Sequence, residues 1–169
     1  PFILVVILAL LILPFPALAD DAVRKMREAE AHFNRGEYLE ALGDYQEILE
    51  QSQTGEHQPK ALMMSATIHG TFLRDPETAL KIYGQVRERY RGTVYEADAV
   101  FESARVEYER ARYREASRLF GLYLSKFPSG SRRDVAAFMR DASDHPPGEV
   151  ERKAREQASR QDRGDGIRV

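Results

Sequence analysis

Three stretches of the chain repeat one another, and that alone excludes most folds. They are Gly36-Glu37-Tyr38-Leu39-Glu40-Ala41-Leu42, Asp75-Pro76-Glu77-Thr78-Ala79-Leu80 and Arg112-Tyr113-Arg114-Glu115-Ala116. The anchor alanines 41, 79 and 116 lie 38 and 37 residues apart, and each is followed four residues later by a ring: Tyr45, Tyr83 and Phe120. Residues four apart share a helix face. A small alanine beside a large ring suits two closely packed antiparallel helices. A second small residue precedes each anchor, at Ala29, Ala66 and Ala104, on what must be a preceding helix. A fixed period of this length marks an array of helical pairs, each burying its apolar face against the next.

Boundary signals fit that pairing. Gly36 can take the left-handed geometry that closes a helix. Asp75-Pro76 reads as a cap with proline at the first helical position. Thr93-Val94-Tyr95-Glu96 is a capping box, and Ser131-Arg132-Arg133-Asp134 resembles one. Pro128 stops the last helix of the third pair. Helices are predicted near 21–34, 38–52, 59–73, 76–90, 94–110, 113–126 and 132–142, with no strand in 20–142. The seventh, with Val135, Ala136 and Phe138 on one side, is predicted to cap the open end of the array.

The three copies resemble tetratricopeptide repeats (TPR). The first carries Ala29, Gly36, Tyr38, Ala41 and Tyr45; the third carries Ala104, Tyr113, Ala116, Phe120 and the closing Pro128. The second departs, with Arg74 in place of a glycine and Pro76 in place of an aromatic residue. The long period is similar to that of cell-envelope members such as outer-membrane-assembly lipoproteins and the repeat protein of the Tol–Pal system. The resemblance implies an all-α fold: a right-handed superhelical stack of three TPR-like helical hairpins with a C-terminal capping helix. It also implies a concave groove lined by the first helix of each pair. Projected onto this chain, the groove holds Met26, Glu30, Phe33, Met64, Ile68, Thr71, Phe72, Phe101, Arg105 and Tyr108. Aromatic residues and arginine are enriched at binding hot spots, and methionine adapts to varied partners. A protein or peptide partner is the expected occupant.

The ends of the sequence read differently. Phe2 to Leu13 is uninterrupted apolar sequence, and no charge precedes Asp20. Twelve residues are too few to span a bilayer, which takes about 20; the run has the length of a signal-peptide core, followed by Pro14, Pro16 and an A-x-A site at Ala17-Leu18-Ala19. Residues 1–19 are therefore expected to be a signal peptide and 20–142 the repeat domain. Residues 143–169 are expected to be a charged linker or tail, truncated. Export to a periplasmic or extracellular space follows, with membrane contact only through the signal segment if it stays uncleaved.

Chemistry is sparse. The chain has no cysteine, which removes disulfides, thiolate metal sites and cysteine nucleophiles. His32, His57, His69 and His145 form no i, i+3 or i, i+4 pair, so helical metal-ligand spacing is missing. No phosphate-binding loop, nucleophile elbow or H-E-x-x-H occurs. A net charge of −2 argues against nucleic acid as a partner. No enzymatic activity, cofactor or metal is expected of residues 20–142. Arg105, Arg110, Arg112, Arg114 and Arg118 cluster, but Glu102, Glu107, Glu109 and Glu115 interleave with them. The expected function is an exported interaction scaffold in the cell envelope. The alternative is the N-terminal accessory module of a larger exported peptidoglycan-acting enzyme. Ile167-Arg168-Val169 resembles the opening strand of a stage-II-sporulation-D-like domain, whose catalytic part would lie beyond Val169.

Overall fold

The computed structural model describes residues 16–51 and 55–149, with 155 and 157. The apolar run Phe2–Leu13 and most of the tail beyond Glu149 lie outside the described residues. What is described is all-helical: α1 (Pro16–Asn34), α2 (Tyr38–Gln51), α3 (Gln58–Thr67), a π-helical turn (Ile68–Phe72), α4 (Pro76–Arg89), α5 (Val94–Glu109), α6 (Tyr113–Lys126) and α7 (Arg133–Asp144). No helix among the described residues is long and apolar enough to cross a membrane. The chain divides into two compact units, one up to Asp75 and one from Pro76.

In the first unit α1 packs on α2, and α2 on α3. Its core joins Met26 and Ala29 of α1, Ala41, Tyr45 and Ile48 of α2, and Ala61 with Ile68 beyond it. Ala29, Ala41 and Tyr45 are fully buried, so the small-beside-large pattern of the sequence is spent on helix contact. α1 begins at Pro16 rather than at residue 21. Proline is tolerated in a first turn because its missing N–H would have no intrahelical partner there. The Ala17-Leu18-Ala19 segment therefore falls inside this helix.

In the second unit α5 packs on α4 and α6, and α6 on α7. The core collects Ala97, Val100, Phe101 and Ala104 of α5, Ala116, Leu119, Phe120 and Tyr123 of α6, and Ala136 of α7. Each fully buried large side chain contributes roughly 1.5–3 kcal/mol. The capping box at Thr93 forms in its first half: the Thr93 hydroxyl accepts the Glu96 N–H at 3.4 Å, while Glu96 Oε2 accepts the N–H of Gly92, one residue before the cap, at 2.6 Å. The similar-looking Ser131 box does not form. Arg132 stands at the N-cap of α7 with no side-chain cap.

The expected cap needs a second correction. Ala136 is buried and Met139 packs on the core, but Val135 is 52% and Phe138 69% exposed. α7 carries two apolar stripes, and it is Ala136, Met139 and Ser143 that face α6.

The turn between paired helices recurs with the period of the sequence. Gly36, Arg74 and Ala111 take left-handed φ of 79°, 55° and 59°. At the first and third turns the third N–H past the helix reaches back five residues: Glu37 to the His32 carbonyl and Arg112 to the Glu107 carbonyl, both 2.9 Å. This closure satisfies carbonyls that the helix end leaves without partners. At the second turn the equivalent bond runs from Asp75 to His69, one residue wider. There the predicted helix 59–73 ends in the π turn, with Leu73 N–H on the Ile68 carbonyl at 3.0 Å. The reason is in the spacing. Paired alanines are 12 residues apart in copies one and three but 13 in copy two, from Ala66 to Ala79. A π turn accommodates one additional residue.

Candidate functional site

The residues projected onto a groove separate into core and surface. Met26, Ile68 and Phe101 are buried at 5%, 0% and 7% exposure and belong to the cores, so they are not offered to a partner. Spacing places a side chain on a helix face, but the neighbouring helix decides whether that face is covered. Met64 is half-buried against the first core. Thr71 is exposed on the π turn.

Glu30 forms an ion pair with Lys60, joining α1 to α3. Arg105 lies between Glu102, at 2.7 Å, and Glu109, both on its own helix. Burial holds the Arg105 guanidinium down, yet bonds to these two carboxylates raise its pKa above the ordinary value. It is thus a neutralised cation, and its fork is already engaged. Tyr108 packs edge-on to Tyr113 at 5.3 Å, across the α5–α6 turn.

One set of these residues does converge. In the first unit Phe33 meets Phe72 edge-to-face at 5.7 Å, and Phe72 stacks on Tyr38 at 3.9 Å with rings 19° apart. Phe33 also meets Tyr38 at 5.7 Å. Three local events build this cluster. Phe33 closes the last turn of α1, Tyr38 opens α2 past the Gly36 turn, and the π turn delivers Phe72. Phe72 and Leu73 remain 39% and 38% exposed, so rings and an aliphatic chain share one open surface. Beside it, His32 Nδ1 lies 2.5 Å from Asp44 Oδ2, a polar margin to the apolar patch. In the sequence Tyr38 marks only a repeat position; its stacking on Phe72 depends on the π turn, whose one sequence signal is the extra residue between Ala66 and Ala79.

A second feature, missed by sequence reasoning, lies within the second unit. It is a cleft of about 460 Å³ lined by Thr93, Val94, Ala97, Asp98, Tyr123 and Gly130. A Cβ at position 130 would collide with the Tyr123 hydroxyl, so this corner requires glycine. The Tyr123 hydroxyl accepts the Arg132 N–H at 3.2 Å. Burial pushes the Asp98 carboxyl up, against the attraction of Arg132 3.7 Å away. Arg132 also lies 4.8 Å from the centre of the Phe101 ring.

Chemically, the aromatic surface can take up apolar or ring-bearing side chains. Among the described residues no three His, Asp or Glu side chains converge as a metal site would require. Compared with protein-family models and with curated proteins, the chain matches none.

Proposed function

We propose that this chain is a binding scaffold whose helical pairs stack as a right-handed TPR-like superhelix. In this reading α7 shields the far end, and the array holds a protein or peptide partner in the cell envelope after export. The observation that carries the reading is the Phe33–Tyr38–Phe72 cluster, half-buried at Phe33 and Tyr38 and open to solvent at Phe72. Rings left open beside a buried core are the surface from which binding hot spots are made. The left-handed turns at a 37–38 residue period support the repeat part of the reading. The apolar run ahead of Asp20 supports export.

The test is capture from envelope extract, comparing the parent chain with Phe72→Ala and with Phe72→Ala/Arg105→Glu. A partner retained by the parent and lost from both variants at unchanged fold is the expected result. Identical recovery from all three chains overturns the reading. Mature mass gives a separate test of export: the N-terminus of the cell-derived protein is expected at Asp20, and a retained apolar segment contradicts it.

A further inference from the structure

We infer that the exposed stripe of α7 is the docking surface for this chain's own C-terminal segment, residues 149–161, which completes a fourth helical pair. The first observation is an internal comparison. One period back, Val135, Phe138 and Ala142 correspond to Ala97, Val100 and Ala104 of α5. Those three are 9%, 1% and 0% exposed, in the core that α5 shares with α6, its following helix. Their counterparts on α7 lie on the stripe turned away from α6, and Val135 and Phe138 are more than half exposed.

The second observation is the turn. Gly148 has φ of 85°, and it follows Ala111 by 37 residues. Its left-handed φ keeps the period of Gly36, Arg74 and Ala111, each of which leads into a second helix; here it closes the loop after α7, with the Glu149 N–H on the Pro146 carbonyl at 3.1 Å. Glu149, directly after it, is helical, as are Arg155 and Gln157.

The third is complementarity. Asp134 and Asp141 are seven residues apart and share one edge of α7, beside the open stripe. In the sequence of the tail, Val150, Ala154 and Ala158 repeat every four residues, and Ala154 follows Ala116 by 38. Lys153 and Arg160, again seven apart, share one edge beside that stripe if it is helical. When two helices pack antiparallel, corresponding edges meet, so the two acids face the two bases. A second copy of α7 docking antiparallel would instead set Asp134 and Asp141 against the same two acids. Length agrees as well. α7 has 12 residues, and residues 150–161 number the same, so each spans about 18 Å as helix. The short tether through Gly148 gives the segment a high effective concentration at the stripe.

The chain has no cysteine of its own, so introduced pairs report without background. In the full chain, Val135→Cys/Ala158→Cys and Ala142→Cys/Ala154→Cys are oxidised with copper–phenanthroline, beside Ala137→Cys/Ala154→Cys on the outer face as control. The expected result is a monomeric cross-link in at least one of the first two pairs and several-fold less in the control. Phe138→Ser should lower the yield. Asp134→Lys/Asp141→Lys should lower it too, and adding Lys153→Asp/Arg160→Asp should restore it. Equal yield from the control, a disulfide-linked dimer in place of the monomeric product, or no restoration by the second charge reversal overturns the inference.

Discussion

Tyr45 shows how a single group can work against the core that holds it. Its ring is fully buried between α1 and α2, yet its hydroxyl has no hydrogen-bond partner among the described residues. Burial first, then the nearby Glu30 and Asp44 charges, push its pKa up to about 12. A buried hydroxyl without a partner costs about 1–3 kcal/mol, part of which a phenylalanine of the same shape avoids. Tyr45→Phe should therefore raise stability by about 1 kcal/mol, read as a higher urea midpoint; a lower midpoint would show that the hydroxyl is satisfied. Ala111 is a second such case, a side chain held at φ of 59° where glycine meets no penalty. Ala111→Gly should gain about 1 kcal/mol, against the usual sign for that substitution. The anchor alanines and their rings were legible in the sequence because a fixed period repeats them. The left-handed backbone of Arg74 was not, because its side chain carries no signal for that geometry.

At the scale of the helix, the decisive contact is alanine against its neighbour. Ala116 is fully buried between α5 and α6, so Ala116→Leu should overpack that contact and cost about 1–3 kcal/mol. An unchanged unfolding midpoint would mean that the two helices can part without loss. Glu96 ties the start of α5 to the end of α6 through Lys126. Burial pushes its carboxyl up, but the Lys126 bond and the Gly92 N–H bring it below its usual 4.5. A folded value below the unfolded one adds stability that is present above pH 4.5 and lost as the pH falls through the folded value. Glu96→Gln should accordingly be less stable than the parent at neutral pH, with the gap narrowing on acidification. A gap that stays constant with pH would sink this account. Apolar periodicity foretold α7 but not which stripe it buries. Ala136, Met139 and Ser143 share one face and Val135, Phe138 and Ala142 another, and only the position of α6 separates them. Three of ten groove positions proved to be core for the same reason.

For the molecule as a whole, the two units are each closed by helix-on-helix packing rather than by covalent links, since no disulfide is possible. Ending the chain at Gly130 would remove Ala136 and Met139 from the second core and open Leu119 and Phe120 to water. Such a chain should bind a hydrophobic dye and associate at micromolar concentration, which fluorescence and sedimentation would read; a dye-free monomer would show that α7 contributes little. All-helical architecture was legible because a repeat speaks three times. The aromatic surface was less so, because the meeting of Phe33, Tyr38 and Phe72 depends on backbone geometry between copies rather than on residue type.

The π turn has a further consequence for how such a chain tolerates length change. One residue added to an ordinary helix rotates every later side chain by about 100° around the axis. Here the added residue is absorbed before Arg74, and Arg74 still precedes Ala79 by five residues, as Gly36 precedes Ala41 and Ala111 precedes Ala116. The widened turn thus acts as a phase absorber, so that an insertion in the gene is felt as a local bulge and is not transmitted as a rotation to the copies downstream.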